Sequence, residues 1–116
     1  MKLDFITKKR TYHRYKQDVN IRPINNTKKG ISIVFKNKAK ERITKTEYLS
    51  IAITDKRLYF AEMNRNEGYK ATLNGAYAYR TNILGEDLYE WAKENAGSYS
   101  LEYDEDLKYF FIQVIE

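Results

Sequence analysis

The sequence predicts a single α+β domain made of mostly antiparallel strands with two short helices. Short runs in which apolar and polar residues alternate recur along its 116 residues, and turn-forming residues separate them, which is typical of antiparallel strands. Two other stretches place apolar residues three or four positions apart, the spacing of one helix face. The elements fall into two units with the same order, a strand, a helix and a hairpin, which predicts two stacked repeats in one compact domain.

The first unit covers residues 30–63. Ile31–Phe35 alternates apolar and polar residues and predicts a strand with one apolar face. Lys36–Ile43 predicts a helix of about two turns, because its apolar residues lie four positions apart. A hairpin follows, with strands predicted at Leu49–Ile53 and Leu58–Met63.

The second unit covers residues 69–115 and opens with a hairpin. Tyr69–Leu73 and Ala76–Thr81 are separated by Asn74-Gly75. Both residues of this dipeptide tolerate a positive φ, so it predicts a tight two-residue turn.

A helix is predicted next, at Glu86–Asn95. Its apolar stripe is expected to begin at Leu84 and to continue through Leu88, Trp91 and Ala92. Gly97 is predicted to end the helix in a left-handed conformation.

The chain closes with another hairpin pattern. Tyr99, Leu101 and Tyr103 alternate along one predicted strand, and Leu107–Ile115 forms the other. The last strand is apolar on both faces, which predicts cover on both sides, by the domain itself or by a partner. A shift of 50 residues aligns this hairpin with the hairpin of the first unit.

Charge is distributed unevenly along the chain, whose net charge is +5. Residues 1–46 carry fourteen Lys or Arg and three Asp or Glu, a net charge of +11. Residues 47–116 carry seven Lys or Arg and thirteen Asp or Glu, a net charge of −6. A basic half beside an acidic half favours a surface that binds a polyanion, or self-association through opposite ends.

Residues 1–29 are predicted to form a basic N-terminal arm, and residues 30–116 the folded domain. Within the arm, Lys8–Lys16 carries five Lys or Arg with Tyr12 and Tyr15 between them. Cations attract phosphates and aromatic rings stack on unpaired bases, so this composition favours a nucleic-acid-binding arm. A solvated basic tail whose tyrosines pack on the domain explains the composition equally well.

Gly30–Ile33, the short helix after it and the hairpin Tyr48–Met63 resemble the swapped-hairpin DNA-binding domain of AbrB-type transition-state regulators and MazE-type antitoxins. In that family two strand–helix–hairpin copies interlock into a small barrel that presents basic residues to DNA. The resemblance implies that the two repeats of this chain replace the two subunits, with the basic first repeat toward DNA. The family has Pro at the helix entry and Gly-Asp before the hairpin, where this chain has Lys36 and Glu47-Tyr48.

Two functions from different classes follow from these patterns. The leading hypothesis is a small non-enzymatic DNA-binding protein, a regulator or phage accessory factor that contacts phosphates through its basic half. The alternative is a phage-type inhibitor, such as an anti-CRISPR protein, that binds a nucleic-acid-processing protein through its acidic, Tyr-rich half. An antitoxin role follows from the resemblance alone, and a homodimer remains open.

The residues predicted to contact nucleic acid are the cations and tyrosines of the basic half: Lys8, Lys9, Arg10, Tyr12, Arg14, Tyr15, Lys16, Arg22, Lys28, Lys29, Lys36, Lys38 and Arg42. The residues predicted at a protein interface belong to the second unit: Tyr77, Tyr79, Phe110 and Ile112.

The sequence predicts neither catalysis nor a cofactor or metal. It contains no cysteine, and the single histidine, His13, has no carboxylate or thiol partner nearby in the chain. The glycines are scattered singly and form no phosphate-binding loop. Asp104-Glu105-Asp106 is interpreted as a solvated turn rather than a cation site. No apolar run reaches the length of a membrane span or signal peptide, so we expect a cytoplasmic protein of bacterial, phage or plasmid origin.

Overall fold

The computed structural model describes residues 18–43, 47–73 and 78–115, without the side chains of residues 37, 38, 43 and 73. Nine strands and two helices lie in these ranges. The strands are β1 (Val19–Asn25), β2 (Lys29–Lys36), β3 (Tyr48–Ile53), β4 (Arg57–Glu62), β5 (Tyr69–Leu73), β6 (Ala78–Leu84), β7 (Gly97–Tyr99), β8 (Glu102–Asp104) and β9 (Tyr109–Gln113), and the helices are α1 (Asn37–Ile43) and α2 (Glu86–Glu94).

The strands form one antiparallel sheet in the order β7-β1-β2-β6-β5-β3-β4-β9-β8. Strand β5 forms a corner, because its residues 71–73 pair with β6 whereas its residues 69–70 pair with β3. We call the part from β7 to β5 sheet A and the part from β3 to β8 sheet B. Strands that pass from one sheet to another in this way are typical of packed sheets that meet at an angle.

The two edge strands of the sheet, β7 and β8, are consecutive in the chain and only Ser100 and Leu101 separate them. Strand β7 pairs with β1, and β8 pairs with β9 at the far end of the sheet. Three residue steps span at most about 11 Å, so the sheet curls until its two edges nearly meet. The result is a barrel-like sheet whose second corner lies at Leu101.

The core lies inside this curled sheet. Alternate residues of each strand point inward, as the pleat requires. The rings of Phe35 from sheet A and Phe60 from sheet B meet edge to face, with centroids 5.2 Å apart. The other inward residues of the core include Val19, Ile21, Ile31, Ile33 and Ile83 from sheet A and Leu49, Leu58 and Ile112 from sheet B.

The two helices lie at opposite ends of β2. Helix α1 follows Lys36 directly, and its Ala39 is completely buried in the core. Helix α2 starts at the other end, where the N–H of Gly85 donates to the carbonyl oxygen of Lys29 at 2.8 Å. It packs on β1 and β2 through its buried residues Tyr89 and Ala92. Neither described helix is long and apolar enough to cross a bilayer.

The predicted class, mostly antiparallel strands with short helices, is confirmed. The strand at residues 31–35 and the hairpin of β3 and β4 lie where the alternation predicts them, and α1 lies where the four-residue spacing predicts a helix. Strand β1 lies within the stretch assigned to the arm, and its Val19 and Ile21 are completely buried, so the folded domain begins before Gly30. The two units do not appear as separate repeats, because their strands pair with each other in one continuous sheet.

The predicted turn at Asn74-Gly75 lies outside the described residues, and β5 pairs with β6 from Leu73 opposite Tyr79. One predicted detail of the second unit is wrong. Leu84 ends β6 with half of its surface exposed and does not belong to the apolar stripe of α2.

The end of α2 also differs from the prediction. The helix ends at Glu94, and both the backbone N–H and the side-chain amide of Asn95 donate to the carbonyl oxygen of Trp91. Gly97 begins β7 instead of ending the helix. The single strand predicted around residues 99–103 is divided between β7 and β8 at the Leu101 corner.

Gly30 is required by the close pairing of β2 with β6. It lies opposite Leu84, and a Cβ atom placed on it would lie 2.8 Å from the Leu84 Cα atom and closer still to the Ile83 carbonyl oxygen. We expect Gly30→Ala to force the strands apart and to lower the free energy of unfolding by about 1–3 kcal/mol. Urea unfolding measures this. Ser50→Ala on β3 is the control, and an unchanged midpoint for Gly30→Ala would contradict the pairing.

Candidate nucleic-acid interface

The residues of sheet A that alternate with the core residues form an outer face that is largely polar but also includes Ile24, Val34, Ala78 and Leu84, of which Val34 and Ala78 are buried. Most of its polar residues are exposed, including all four cations, whereas Asn20 and Ser32 are half-buried. We define the outer face of sheet A by these polar residues: Asn20, Arg22, Ser32, Lys36, Lys70, Thr72, Arg80, Asn82 and Ser98.

The strand register arranges these side chains in rows across the sheet. Arg22 lies opposite Ser32, and Ser32 lies opposite Asn82. Lys70 lies one residue beyond the last pair of β5 with β6 and pairs with Tyr48 of β3, so it stands at the corner of the sheet. The row of Arg22, Ser32 and Asn82 therefore contains one cation and two neutral hydrogen-bonding groups.

The charge of the outer face has one sign. None of its residues carries a carboxylate. The neighbouring Asp18 is buried, and its Oδ1 accepts a hydrogen bond of 2.9 Å from the N–H of Leu101. In the described ranges the ion pairs join Arg57 to Asp104 and Lys93 to Glu90, so the cations of this face have no ionic partner there.

The structure brings some of the sequence-predicted cations together and separates others. Arg22 and Lys36 lie on the outer face of sheet A, and Lys28 is exposed in the turn between β1 and β2. Lys29 instead points toward α2, where its Nζ lies 5.0 Å from the centre of the Tyr89 ring. Arg42 is exposed on α1.

The remaining predicted contacts of the basic half lie outside the described residues and stay predictions. They are Lys8, Lys9, Arg10, Tyr12, Arg14, Tyr15 and Lys16, together with the side chain of Lys38.

Three residues of the face, Lys70, Arg80 and Asn82, are absent from the residues predicted to contact nucleic acid, because they belong to the net-acidic half of the chain. A local signal for two of them exists. Successive side chains of the strand Ala78–Leu84 point to opposite faces of the sheet. Arg80 and Asn82 are therefore expected on the face opposite to Thr81 and Ile83. What the sequence could not supply is the pairing of β6 with β2, which brings these residues beside Arg22 and Lys36.

The residues predicted at a protein interface are largely part of the interior. Ile112 is completely buried, so its side chain does not reach the surface. Phe110 packs against the core and meets Tyr103 edge to face at 5.0 Å. Tyr79 is half-buried beside Lys40, whose Nζ lies 5.5 Å from its ring centre. Tyr77 lies outside the described residues.

The outer face of sheet B carries a hydrogen-bonded cluster around Arg57. Its Nε donates to Gln113 at 2.9 Å, and its Nη1 donates to the Tyr59 hydroxyl at 3.0 Å and to Asp104 Oδ2 at 3.1 Å. The Tyr59 hydroxyl also donates to Asp104 Oδ2. The guanidinium lies 4.0 Å from the centre of the Phe111 ring, so this side of β9 is covered by Arg57.

Asp104 is held as a carboxylate by this cluster and by its own turn. Its Oδ1 accepts hydrogen bonds from the N–H groups of Leu107 and Asp106, at 2.9 and 3.0 Å. The bond from Leu107, supported by those from Tyr59 and Asp106 and by the charge of Arg57, lowers the pKa of Asp104 below its ordinary value. The Asp104 carboxylate thus closes its own turn and connects β8 to Arg57 and Tyr59 of β4.

A shallow apolar groove of about 220 Å³ lies on the same face. Its floor is made by the small residues Ser50, Ala52 and Ala61, and Tyr59, Met63 and Tyr109 form its walls. Tyr109 is almost half exposed. Such a groove can accept one aliphatic or aromatic side chain of a partner.

No group of three His, Cys, Asp or Glu suited to a metal ion occurs among residues 18–43, 47–73 and 78–115. No protein-family model, no curated protein and no solved structure matches this chain.

The lowered pKa of Asp104 predicts a specific pH dependence of stability. A carboxyl whose pKa is lower in the folded state stabilises the fold above its unfolded pKa of about 3.9, and this contribution is lost as the pH falls through the folded pKa. We therefore expect the stability difference between the wild type and Asp104→Asn to be largest above about pH 5 and to shrink below about pH 4.

Urea unfolding from pH 2 to pH 7 tests this, with Asp55→Asn in the exposed β3–β4 turn as the control of equal charge change. A wild-type minus Asp104→Asn difference that is the same at every pH would contradict the role of the ionised carboxylate.

Proposed function

We propose that this protein is a small non-enzymatic nucleic-acid-binding protein, a regulator or accessory factor, that contacts DNA phosphates through the outer face of sheet A. One observation carries the proposal. Arg22, Lys36, Lys70 and Arg80 share a face that has no carboxylate among its described residues, although they come from both halves of the chain.

The neutral residues of the face suit the same ligand. Phosphate and sugar oxygens accept hydrogen bonds from Asn, Ser and Thr side chains as well as from cations, and such contacts fix the position of a protein on nucleic acid. Asn82 and Thr72 are exposed between the cations, and Ser32 lies at the centre of the face. The face can therefore bind several phosphates at once.

Two further features support DNA as the ligand. Residues 1–17 contain six Lys or Arg and one Asp, and we propose that they add phosphate contacts to those of the sheet. The resemblance of residues 30–63 to the AbrB and MazE domain also implies DNA binding by a barrel that presents cations, and it remains a prediction for this chain.

The electrostatic character of the contacts predicts strong salt dependence. With about six phosphate contacts, affinity for DNA should fall on the order of a thousandfold between 50 and 200 mM salt. Arg80→Ala and Lys36→Ala should each weaken binding to all sequences and reduce the slope of log K against log salt by about 1. Gel retardation across a salt series measures both effects.

Lys56→Ala is the matched control, since Lys56 is exposed in the β3–β4 turn, away from the face. Retardation that is insensitive to salt, or no retardation of any duplex or single strand at 50 mM salt, would refute the proposal.

A second candidate function, protein binding, is favoured by the groove on sheet B. Its walls include the exposed Tyr109, and tyrosine is enriched at the centres of interfaces. The acidic residues Glu102, Glu105 and Asp106 are exposed on the neighbouring β8 and its turn, so the suited partner is a cationic surface with an apolar anchor. This candidate corresponds to an inhibitor of a nucleic-acid-processing protein.

Pull-down from lysate with and without nuclease separates the two functions. If the groove binds a protein, a partner should still be retained after nuclease treatment. The Tyr109→Ala variant should not retain it, because its groove lacks one of the walls that hold the apolar anchor of the partner. Tyr69→Ala is the control, since Tyr69 is similarly exposed but lies on β5 outside the groove. Retention of the partner by Tyr109→Ala would exclude the groove as its binding site.

A further inference from the structure

We infer that the open edge of β3 binds a second copy of this chain, so that the β3 strands of two copies pair antiparallel with Ala52 opposite Ala52. This inference goes beyond nucleic-acid binding and does not depend on it.

Strand β3 has a partner along its whole length on one side but only at its start on the other. It pairs with β4 from Leu49 to Ile53, whereas β5 pairs with it only at Tyr48 and Leu49. From Ala71 onward, β5 pairs with β6 of sheet A instead. Residues 50–53 of β3 therefore form an edge that has no strand beside it in the described part of the chain.

The hydrogen bonds on the two sides of β3 show which backbone groups face this edge. The N–H of Thr54 donates to the carbonyl oxygen of Arg57 at 2.9 Å. Since backbone groups of an antiparallel strand alternate between its two neighbours, the even-numbered residues of β3 bond to β4. On the other side, the N–H of Ala71 donates to the carbonyl oxygen of Glu47 at 2.9 Å, so the odd-numbered residues face the side of β5.

Ile51 and Ile53 are the odd-numbered residues of the open edge. Each directs one N–H and one C=O away from β4, where no strand among the described residues pairs with them. Sheet edges are commonly protected by charged residues, proline or a bulge. The edge Ser50–Ile53 contains no charge and no proline, and its register with β4 is continuous. Because Ile53 is also 40% exposed, this edge is accessible to another strand.

The residues of the edge are compatible with a second copy of themselves in one register. When Ile51 of one copy lies opposite Ile53 of the other, both N–H and both C=O groups of each open edge are paired. The two isoleucines then meet on the side that carries the buried Leu58, and Ser50 lies opposite Thr54 on the outer side. Pairs of β-branched residues and pairs of hydroxyl residues both stabilise antiparallel strands.

The centre of this contact requires a small side chain. Ala52 lies opposite Ala52 of the other copy at a pair without direct hydrogen bonds, where Cα atoms approach to about 4.5 Å. Alanine permits this approach, and its side chain is exposed on β3.

The length of the open edge also suits a second β3. Tyr69 of β5 lies beside Leu49 at one end, and the β3–β4 turn begins at Asp55 at the other. Residues 50–54 of one copy match residues 54–50 of the other over this length, and none of them is charged. Five residues on each side are far fewer than the about 20–30 of a standard stable interface, so we expect a weak and reversible dimer.

Sedimentation equilibrium at about 10–500 µM protein tests this, because weak dimers dissociate in this range. We expect the wild type to change from monomer to dimer as its concentration rises. Ala52→Lys and Ala52→Glu should each raise the dissociation constant by about fivefold or more, because they place like charges opposite each other. An equimolar mixture of the two variants should associate again, since opposite charges then meet. Asn82→Lys, exposed on β6 between two paired strands, is the control of equal charge change to Ala52→Lys.

Ile53→Pro tests the backbone contribution separately. It removes an N–H that the fold leaves unpaired but that the dimer uses, so the variant should fold and should dimerise less than the wild type. Ile53→Val keeps the N–H and should dimerise like the wild type. Circular dichroism verifies that each variant is folded.

A wild type that stays monomeric at every concentration would overturn the inference and leave the edge to a strand of a different protein. A dimer that Ala52→Lys and Ile53→Pro leave unchanged would overturn it too, because such a dimer uses another surface. So would a mixture of the two charge variants that associates no more than either variant alone. None of these results bears on nucleic-acid binding by sheet A.

Discussion

The hydrogen bond between Asp18 and Leu101 connects the start of β1 to the corner between β7 and β8. Both residues are buried, and the carboxylate of Asp18 accepts the N–H of Leu101 at the corner between β7 and β8. The carbonyl oxygen of Asp18 also accepts the N–H of Lys36, at 2.8 Å. Since a buried carboxylate is costly without hydrogen-bond donors, one residue holds together the start of β1, the end of β2 and the point where the sheet closes.

The curled sheet gives the molecule two outer faces of different chemistry. Sheet A presents cations and neutral hydrogen-bonding groups, whereas sheet B presents a groove with tyrosine walls beside exposed carboxylates. This division is not the division between the two halves of the sequence. Arg80 and Lys70 come from the acidic half and lie on the basic face, because β6 and β5 pair into sheet A.

The local elements were predictable, and the long-range pairing was not. The alternation of apolar and polar residues located β2, β3 and β4, because a strand that buries one face carries apolar residues at every second position. It could not show that Tyr99 and Tyr103 belong to opposite edges of the sheet, since the corner at Leu101 keeps the alternation intact. Leu84 satisfied a helical spacing by chance, and only its pairing with Gly30 assigns it to β6. The candidate site was predictable at Arg22 and Lys36 but not at the residues that β6 and β5 contribute.

Amide chemical shifts recorded while a short DNA duplex is added report which face of the protein the DNA contacts. If the outer face of sheet A binds DNA, the largest changes should occur at Arg22, Ser32, Lys70, Arg80 and Asn82, with Ser50, Tyr59 and Tyr109 unaffected. Changes concentrated on the outer face of sheet B, with the amides of sheet A changing no more than those of the buried core, would show that sheet A does not bind DNA.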